Sequence, residues 1–454
     1  MIINPKIFRA YDVRGIYPDE LDEPAAARIG AALVQFLSEE LKKQNSDLQI
    51  VVGQDARISS PQIFQAFTKG VLGQGANIID IGLVSTDTLY FALNHLKLNG
   101  GVMITASHNP AEYNGIKMMA QGPRFISADW GMPQIKKMVL EEKFKPNASL
   151  GTITQRKIID EYVEYIISLI DLKVLKKMKV VVDAGNGMGS LVIKELAKKL
   201  SLNLICLYCD PDGTFPNHPP DPLIKENNKA LQQQVLKSKA DFGLALDGDG
   251  DRTIFVDEKG EVISGDMTIA LLAQYFLQKN PGSTIVYNLT CSKSVPEIIK
   301  ENNGRPIKTR TGHAFMKGAA RKNKAIFGGE ISGHLYFQDV YYAESGGLTL
   351  LLMIKILSAS NQSLSELIKG FQRYARIGEV NFKIKDRQGS IKKLAEFYAD
   401  GKQDHLDGLT VEYNDWWFNA RPSNTEPLLR IVVEADNEEL VQEKFKQIKS
   451  IFLK

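Results

Sequence analysis

The sequence predicts an α/β protein with mixed, largely parallel sheets and a small α+β domain at its C-terminus, and three observations carry that expectation. Short apolar runs of strand length alternate with longer segments of helical period, the pattern of α/β units. The alternation restarts near residue 155 and again near residue 257, and from about Ile377 it gives way to strand, helix, strand, strand, helix. At roughly 100 to 200 residues per domain, 454 residues also call for about three domains, or four if one is small. The boundaries expected are 1–154, 155–256, 257–372 and 373–454.

In the first pass Leu48 to Gly53 reads as a strand, Pro61 to Leu72 as a helix and Ile78 to Ile81 as a strand. A helix around Leu89 to Leu96 follows, then a strand, Val102 to Thr105, that runs into Ala106-Ser107-His108-Asn109-Pro110. The second pass places strands at Lys179 to Asp183, Asn203 to Leu207 and Phe242 to Leu246, with helices at Leu191 to Leu200 and around Leu231 to Leu236. It runs into Asp247-Gly248-Asp249-Gly250-Asp251. The third has a helix near Met267 to Gln278, a strand Thr284 to Asn288 and helices after Ser292 and Thr311. Its last strand, Ala325 to Phe327, ends in Gly328-Gly329-Glu330-Ile331-Ser332-Gly333-His334. Ligands in open α/β sheets bind outside the carboxyl ends of strands, so order alone expects these three loops at one cleft. In the C-terminal domain, strands are expected at Val380 to Ile384, Leu409 to Tyr413 and Leu429 to Val433, and helices at Ile391 to Tyr398 and Leu440 to Phe452. The last helix has Val441, Phe445, Ile448 and Phe452 on one face, with Asp436 and Glu439 spaced as N-cap and N3.

Apolar residues make up 44% and charged residues 24%, ordinary globular values that exclude a disordered or fibrous chain. The net charge of +3 is too small for this length to imply a nucleic-acid or anionic-membrane partner, so any anion binding is local. No apolar run reaches the ~20 residues of a membrane span and no h-region opens the chain, so a cytoplasmic protein is expected. Cys206, Cys209 and Cys291 are an odd count, which does not indicate a secreted disulfide framework. Cys206 and Cys209 lie inside the apolar run 204–209 and read as buried strand residues rather than a zinc or redox site.

Four segments carry chemistry. On a straight strand, at ~3.3 Å per residue, Asp247 and Asp251 would stand about 13 Å apart and could not share an ion. Gly248 and Gly250 free the backbone to curl, bringing three hard carboxylate oxygens to ~2.0 to 2.1 Å from one Mg²⁺. An EF-hand is disfavoured: its sixth position, which needs Gly, is Arg252, and the flanks read as strands. Ser107 precedes Pro110 at a plausible helix start, where backbone N–H groups would favour a phosphoryl group on the serine; a simple N-cap is the alternative. A serine protease-like triad is less attractive, since there is no G-x-S-x-G and His108 cannot be assumed to face Ser107. Arg421-Pro422-Ser423-Asn424-Thr425-Glu426-Pro427 concentrates one guanidinium, hydroxyls and an amide, the groups that hold a phosphate or make an ordinary turn, and Arg430 adds a second charge.

Taken together, these segments resemble the α-D-phosphohexomutase superfamily, and within it the phosphomannomutase/phosphoglucomutase group. Thr105 to Pro110 is similar to its phosphoserine loop, Asp247 to Arg252 to its metal loop, Gly329 to His334 to its sugar loop and Arg421 to Pro427 to its phosphate loop. Four motifs in order, with Ala10 to Gly15 near the start, cover essentially the whole chain. The resemblance implies three topologically related α/β domains and a smaller fourth around a central cleft. It implies that phosphorylated Ser107 exchanges its phosphoryl group with a hexose phosphate through a hexose 1,6-bisphosphate, with Mg²⁺ held by Ser107, Asp247, Asp249 and Asp251. Arg14, Lys117 and Arg252 would balance the negative charge. Lys117 matches the general acid/base, and His313 is the other proton-transfer candidate, or else a helix-terminal packing residue. Glu330 and Ser332 would bind sugar hydroxyls, His334 the sugar or a phosphate, and Lys293, Arg421, Ser423, Asn424, Thr425 and Arg430 the substrate phosphate. Gly53-Gln54-Asp55-Ala56-Arg57 departs from the family pattern, which often has a basic residue where Gln54 stands, and this leaves the segment without an assigned role.

Ile331 favours hexose phosphates over the glucosamine branch, and mannose and glucose, differing at one hydroxyl, are both expected substrates. The alternatives are a phosphoglucosamine mutase, a metal-dependent sugar phosphatase using the same serine and metal, and a sensor that binds without turnover.

Overall fold

The computed structural model describes residues 3–122, 124–142, 144, 149–423 and 428–452. The chain forms two compact units, Met1–Ile263 with Ser332–Ser365 and Ser264–Ile331 with Glu366–Lys454. Among the described residues four sheets underlie them, and three share one rule of construction.

In each α/β pass three parallel strands lie in the order third, first, second. Gly100–Ile104 and Asn77–Leu83 flank Gln49–Gln54; Phe242–Leu246 and Asn203–Leu207 flank Lys179–Asp183; Phe327–Gly329 and Arg305–Thr309 flank Thr284–Asn288. The third strand of each pass is the one that delivers a chemically loaded loop. All five residues of Gly100–Ile104 and of Phe242–Leu246 are buried, as expected of strands covered on both faces. The sheets are mixed because the loaded loops return antiparallel: Tyr113–Ala120 pairs with Gly100–Ile104, and Thr253–Asp257 with Phe242–Leu246.

The N-terminal sheet is covered by helices Glu23–Leu41 and Ser60–Gly73, whose Ile29, Leu33, Leu37, Ile63, Phe67 and Val71 join Ile50, Val52 and Ile104 in one core. Asp22 caps the first helix, accepting from the Ala25 N–H at 2.8 Å, and Pro24 fits the first turn, where no amide donor is needed. The two helices cross so closely that a Cβ on Gly70 would overlap the Ala27 carbonyl.

The C-terminal domain is a five-stranded antiparallel sheet in the order Ala375–Lys383, Leu428–Ala435, Trp416–Pro422, Leu409–Glu412, Lys402–Asp404, packed on helices Arg387–Phe397 and Glu438–Phe452. Two of these strands were not expected. Trp416–Pro422 was hidden because its Asn419 and Arg421 break the apolar run, yet Asn419 is buried and donates to the Asp407 carbonyl and Thr410. The last helix is capped by Asn437, which accepts from the Leu440 N–H at 2.9 Å; Asp436 is one residue too early to do so.

Two further expectations are corrected. No helix starts at Pro110: the chain turns and enters the strand Tyr113–Ala120. Cys206 and Cys209 are joined as a disulfide, with Cys206 exposed and Cys209 buried, because strand Asn203–Leu207 is at the sheet edge and its side chains are only partly covered.

Candidate active site

The loop Asp247–Arg252 links a buried parallel strand to its antiparallel partner and curls as its glycines allow. Gly250 adopts φ 78°, and a Cβ on Gly248 would stand 2.5 Å from the Ser107 carbonyl, so this glycine permits the two loops to touch. Asp247 Oδ1 closes the turn by accepting the Asp251 and Arg252 amides at 3.0 and 3.1 Å. The carboxylates of Asp247, Asp249 and Asp251 then offer oxygens within 4.8 Å of one another, all buried.

What surrounds them is polar and drawn from separate elements. Asp249 Oδ2 accepts from Thr86 Oγ1 and from Lys117 Nζ, both at 2.5 Å, and Lys117 Nζ reaches Asp251 Oδ2 at 2.8 Å. Burial opposes the Lys117 charge, but Asp249 and Asp251 outweigh it and raise its pKa, so the ammonium stays charged. Burial, then Asp251 and Asp249, push Asp247 well above the usual carboxylate range. Burial acts on Asp251 in the same direction, but Lys117 first, then His334 and Arg252, hold it well below. Among the described residues, Asp249 Oδ1 and Asp251 Oδ1 are buried without a hydrogen-bond partner. Two orphaned hard oxygens beside a third carboxylate are the donor set a divalent cation completes, and all-oxygen ligation suits Mg²⁺.

Ser107 joins this cluster from the other loop. Its Oγ donates to Asp247 Oδ2 at 2.9 Å and lies 3.2 Å from His108 Nδ1. The residue is held at φ 52°, in the left-handed region that few non-glycine residues occupy, with its N–H donating to Thr105 Oγ1 at 2.9 Å. A turn, rather than a helix N-terminus, therefore presents the buried hydroxyl. His108 does face the serine. Burial, then Arg252 and Arg14, push its pKa well below the ordinary imidazole value, which makes it a neutral acceptor.

Arg14 donates to Asn109 Oδ1 and Asp12 Oδ2, both at 2.5 Å. Arg252 donates from Nε to His334 Nε2 at 3.1 Å and stands 3.7 Å from Asp221. His334 lies 3.2 Å from the buried Glu344 and 3.6 Å from Asp251, so it belongs with the metal loop.

The other unit carries the remaining expected residues. Glu330 is buried at the end of Phe327–Gly329 and accepts from the Gly312 N–H at 2.9 Å, next to His313, the first residue of helix His313–Lys322. Ser332, half-buried, begins the return of the chain to the first unit. Lys293 donates its backbone N–H to Glu434 at 2.8 Å and its ammonium to the Tyr413 carbonyl at 3.2 Å. Arg421 and Arg430 are cross-strand partners, and Glu379 takes both, Arg421 at 2.5 Å and Arg430 at 3.1 Å. Ser423 is buried and donates its N–H to the Leu428 carbonyl; Asn424 and Thr425 lie outside the described residues.

Comparison with known proteins matches the whole length. Residues 5–146, 160–260, 264–374 and 379–450 match, in turn, the alpha/beta/alpha domains I, II and III and the C-terminal domain of phosphoglucomutase/phosphomannomutase. The chain belongs to the phosphoglucomutase/phosphomannomutase family. As such it is an isomerase, a hexose phosphate mutase. It is 40% identical to a phosphomannomutase of Methanocaldococcus jannaschii, covering 99% of this chain and 98% of the relative. It is 39% identical to phosphohexose mutases of Xanthomonas campestris pv. campestris over 94% of each chain. A phosphoglucomutase/phosphomannomutase family protein from Burkholderia thailandensis superposes with a TM-score of 0.88 at 32% identity, over 99% of this chain and 98% of that one.

The structure also brings groups to this cluster to which the sequence assigned no role. His108 stands in the Ser107 segment but could not be assumed to face the serine, while Thr86 and Glu344 lie in segments with no local signature. Thr86 follows a Val-Ser pair that reads as a loop, and Glu344 sits on a two-residue strand.

Proposed function

We propose that this mutase interconverts hexose 1-phosphate and hexose 6-phosphate, with mannose or glucose as the sugar, through phosphorylated Ser107 and a hexose 1,6-bisphosphate. The observation that carries the reading is Ser107 Oγ held 2.9 Å from Asp247 within the carboxylate triad. A serine hydroxyl is weakly nucleophilic, and the neighbouring carboxylate accepts its hydrogen bond and so orients Oγ. A Mg²⁺ held by Asp247, Asp249, Asp251 and Ser107 would stabilise charge on the transferring phosphoryl group. Lys117, Arg14 and Arg252 bring positive charge to the same loops, and Lys117, charged as it stands, starts as the acid of an acid/base pair. Neutral His108 is a further acceptor beside the serine.

Glu330, Ser332 and His334 are assigned to the sugar, His313 to proton transfer, and Lys293, Arg421, Ser423, Asn424, Thr425 and Arg430 to the substrate phosphate. Lys293 would have to leave the Tyr413 carbonyl to do so. Hexose phosphates are the partners, with hexose 1,6-bisphosphate as activator. Four domains with the boundaries given above, and a cytoplasmic location, complete the proposal; charged sugar phosphates do not cross membranes unaided.

The test is a parallel assay of mannose 1-phosphate and glucose 1-phosphate, with Mg²⁺ and a trace of hexose bisphosphate, following 6-phosphate and free phosphate. Turnover without phosphate release is expected, and Ser107→Ala should lose at least about a thousandfold while melting like the wild type. Phosphate released as fast as isomerisation would make the protein a phosphatase instead.

A further inference from the structure

Arg57 is a fully buried cation with every donor nitrogen engaged, and the reaction described above gives it no part. All of these donors are spent within the first unit. Nη1 donates to the carbonyls of Pro110 and Tyr113 at 2.5 and 3.0 Å, and Nη2 to those of Ser107 and Asn109 at 2.8 and 2.7 Å. Nε donates to Asp55 Oδ2 at 3.1 Å, and the other oxygen of Asp55 accepts the Arg57 N–H at 3.0 Å and Ser60 Oγ at 2.5 Å. The Phe215 ring covers the guanidinium at 5.0 Å, and a Cβ on Gly213 would stand 2.5 Å from Arg57 Cα, so that loop is pressed onto it.

Four carbonyls of residues 107–113 thus converge on one planar fork. Those of Ser107 and Asn109 belong to a turn with no helix or sheet ladder to satisfy them, and burying them unpaired would cost about 1 to 3 kcal/mol each; that of Pro110 also accepts the Tyr113 N–H at 3.1 Å, and Tyr113 opens the strand Tyr113–Ala120. The fork sets their directions together and so sets the backbone of Ser107 in its left-handed conformation. A lysine at this position has three donors on a flexible stem and cannot span four acceptors.

We propose that Arg57 is the positioning residue of the nucleophile: it fixes the Ser107 turn from behind so that Oγ faces Asp247, without touching substrate. The proposal rests on the phosphoserine reading of Ser107. The step it governs is transfer of a phosphoryl group from hexose 1,6-bisphosphate to Ser107. The bond from phosphorus to the sugar oxygen breaks, that from phosphorus to Oγ forms, the hydroxyl proton leaves to a base at the site, and the sugar oxygen takes a proton from an acid there to leave as hexose monophosphate.

The experiment follows that transfer directly. Dephosphorylated protein, with Mg²⁺, is mixed with glucose 1,6-bisphosphate, and phosphorylation of Ser107 is read by intact mass against time, for wild type, Arg57→Lys and Arg57→Ala. In Arg57→Lys the transfer rate and kcat are expected to fall at least about thirtyfold, while KM and the Mg²⁺ affinity stay within about threefold. In Arg57→Ala, added guanidinium chloride at low concentration should restore transfer where sodium chloride does not. Transfer in Arg57→Lys within threefold of wild type overturns the proposal. So does a loss in which KM rises while Mg²⁺ affinity and melting temperature fall, with no guanidinium rescue, which would mark a residue needed only for the fold. Should neither Arg57 variant fold, Asp55→Asn, which keeps the guanidinium but loosens its anchor, decides by the same split, with a transfer loss of about tenfold expected. A wild-type protein that takes no phosphate on Ser107 would instead end the phosphoserine reading itself.

Discussion

The cluster around Ser107 and the arginine pair of the C-terminal sheet, both assigned to phosphate in the proposal above, are built in opposite ways. In the first, each carboxylate of the triad is tied by donors from other segments: Ser107 to Asp247, Thr86 and Lys117 to Asp249, Lys117 to Asp251. In the second, Arg421 and Arg430 converge on one carboxylate, Glu379, which is itself partly exposed. The difference teaches where rigidity is needed. Groups that act on a transferring phosphoryl must be in place beforehand, since their value lies in charge that does not reorganise. Groups that grip a phosphate must be able to exchange a protein anion for the substrate's.

The sharpest way to break this comparison is to remove Lys117, which bridges two buried carboxylates. Deleting one partner of a buried ionic cluster leaves the others uncompensated and typically costs about 3 to 5 kcal/mol. Lys117→Met should therefore melt well below wild type in the presence of a chelator. Because a divalent cation would replace the lost charge, added Mg²⁺ should raise its melting temperature more than that of wild type. A variant as stable as wild type without metal would show that these ion pairs hold nothing in place.

Both regions were partly legible in the sequence, for different physical reasons. The alternation of apolar runs located the strands Lys179–Asp183, Phe242–Leu246 and Thr284–Asn288 to the residue, because near-continuous burial on both faces leaves an unbroken apolar signature, and the partly covered edge strand Asn203–Leu207 through its apolar run. The aspartates alternating with glycines showed their chemistry locally. Trp416–Pro422 escaped because its Asn419 is buried by side-chain hydrogen bonds, a compensation visible only in three dimensions. The helix expected at Pro110 failed because proline fits a turn as well as a first helical turn. Arg57, which holds that turn, stands 50 residues before Ser107 in sequence and has no pattern that announces it.

A second prediction sharpens the comparison from the arginine side. If Glu379 occupies a place that substrate phosphate takes over, Glu379→Gln should weaken the competitor and lower KM by about two- to fivefold with kcat little changed. Arg421→Ala should raise KM by tenfold or more, since a charge-assisted bond to phosphate contributes about 1.5 to 3 kcal/mol. Neither change should alter Mg²⁺ affinity. A fall in kcat alone, for either variant, would assign these residues to the reacting groups rather than to ground-state binding.

The smallest effect expected is a dependence on pH at the border of the serine cluster. His218 lies in the loop whose Pro220 carbonyl accepts the Gly248 N–H, and its ring donates in the charged form to both the Pro219 carbonyl, at 2.8 Å, and Asp183, at 3.1 Å. Burial alone would push its pKa down, but these two partners outweigh it and raise the value above 6.5. A histidine whose pKa is raised by folding contributes stability that is complete below the unfolded value and is lost as pH climbs through the folded one. Denaturant melts near pH 6 and near pH 8.5 should therefore show the wild type losing more stability than His218→Gln across that interval. The comparison between variants cancels every other titrating group, so equal losses would mean that the imidazolium does not hold this loop. A larger loss in wild type would place a proton-sensitive fastening next to the rigid cluster and none beside the arginines, where Glu379 faces guanidinium groups that stay charged throughout.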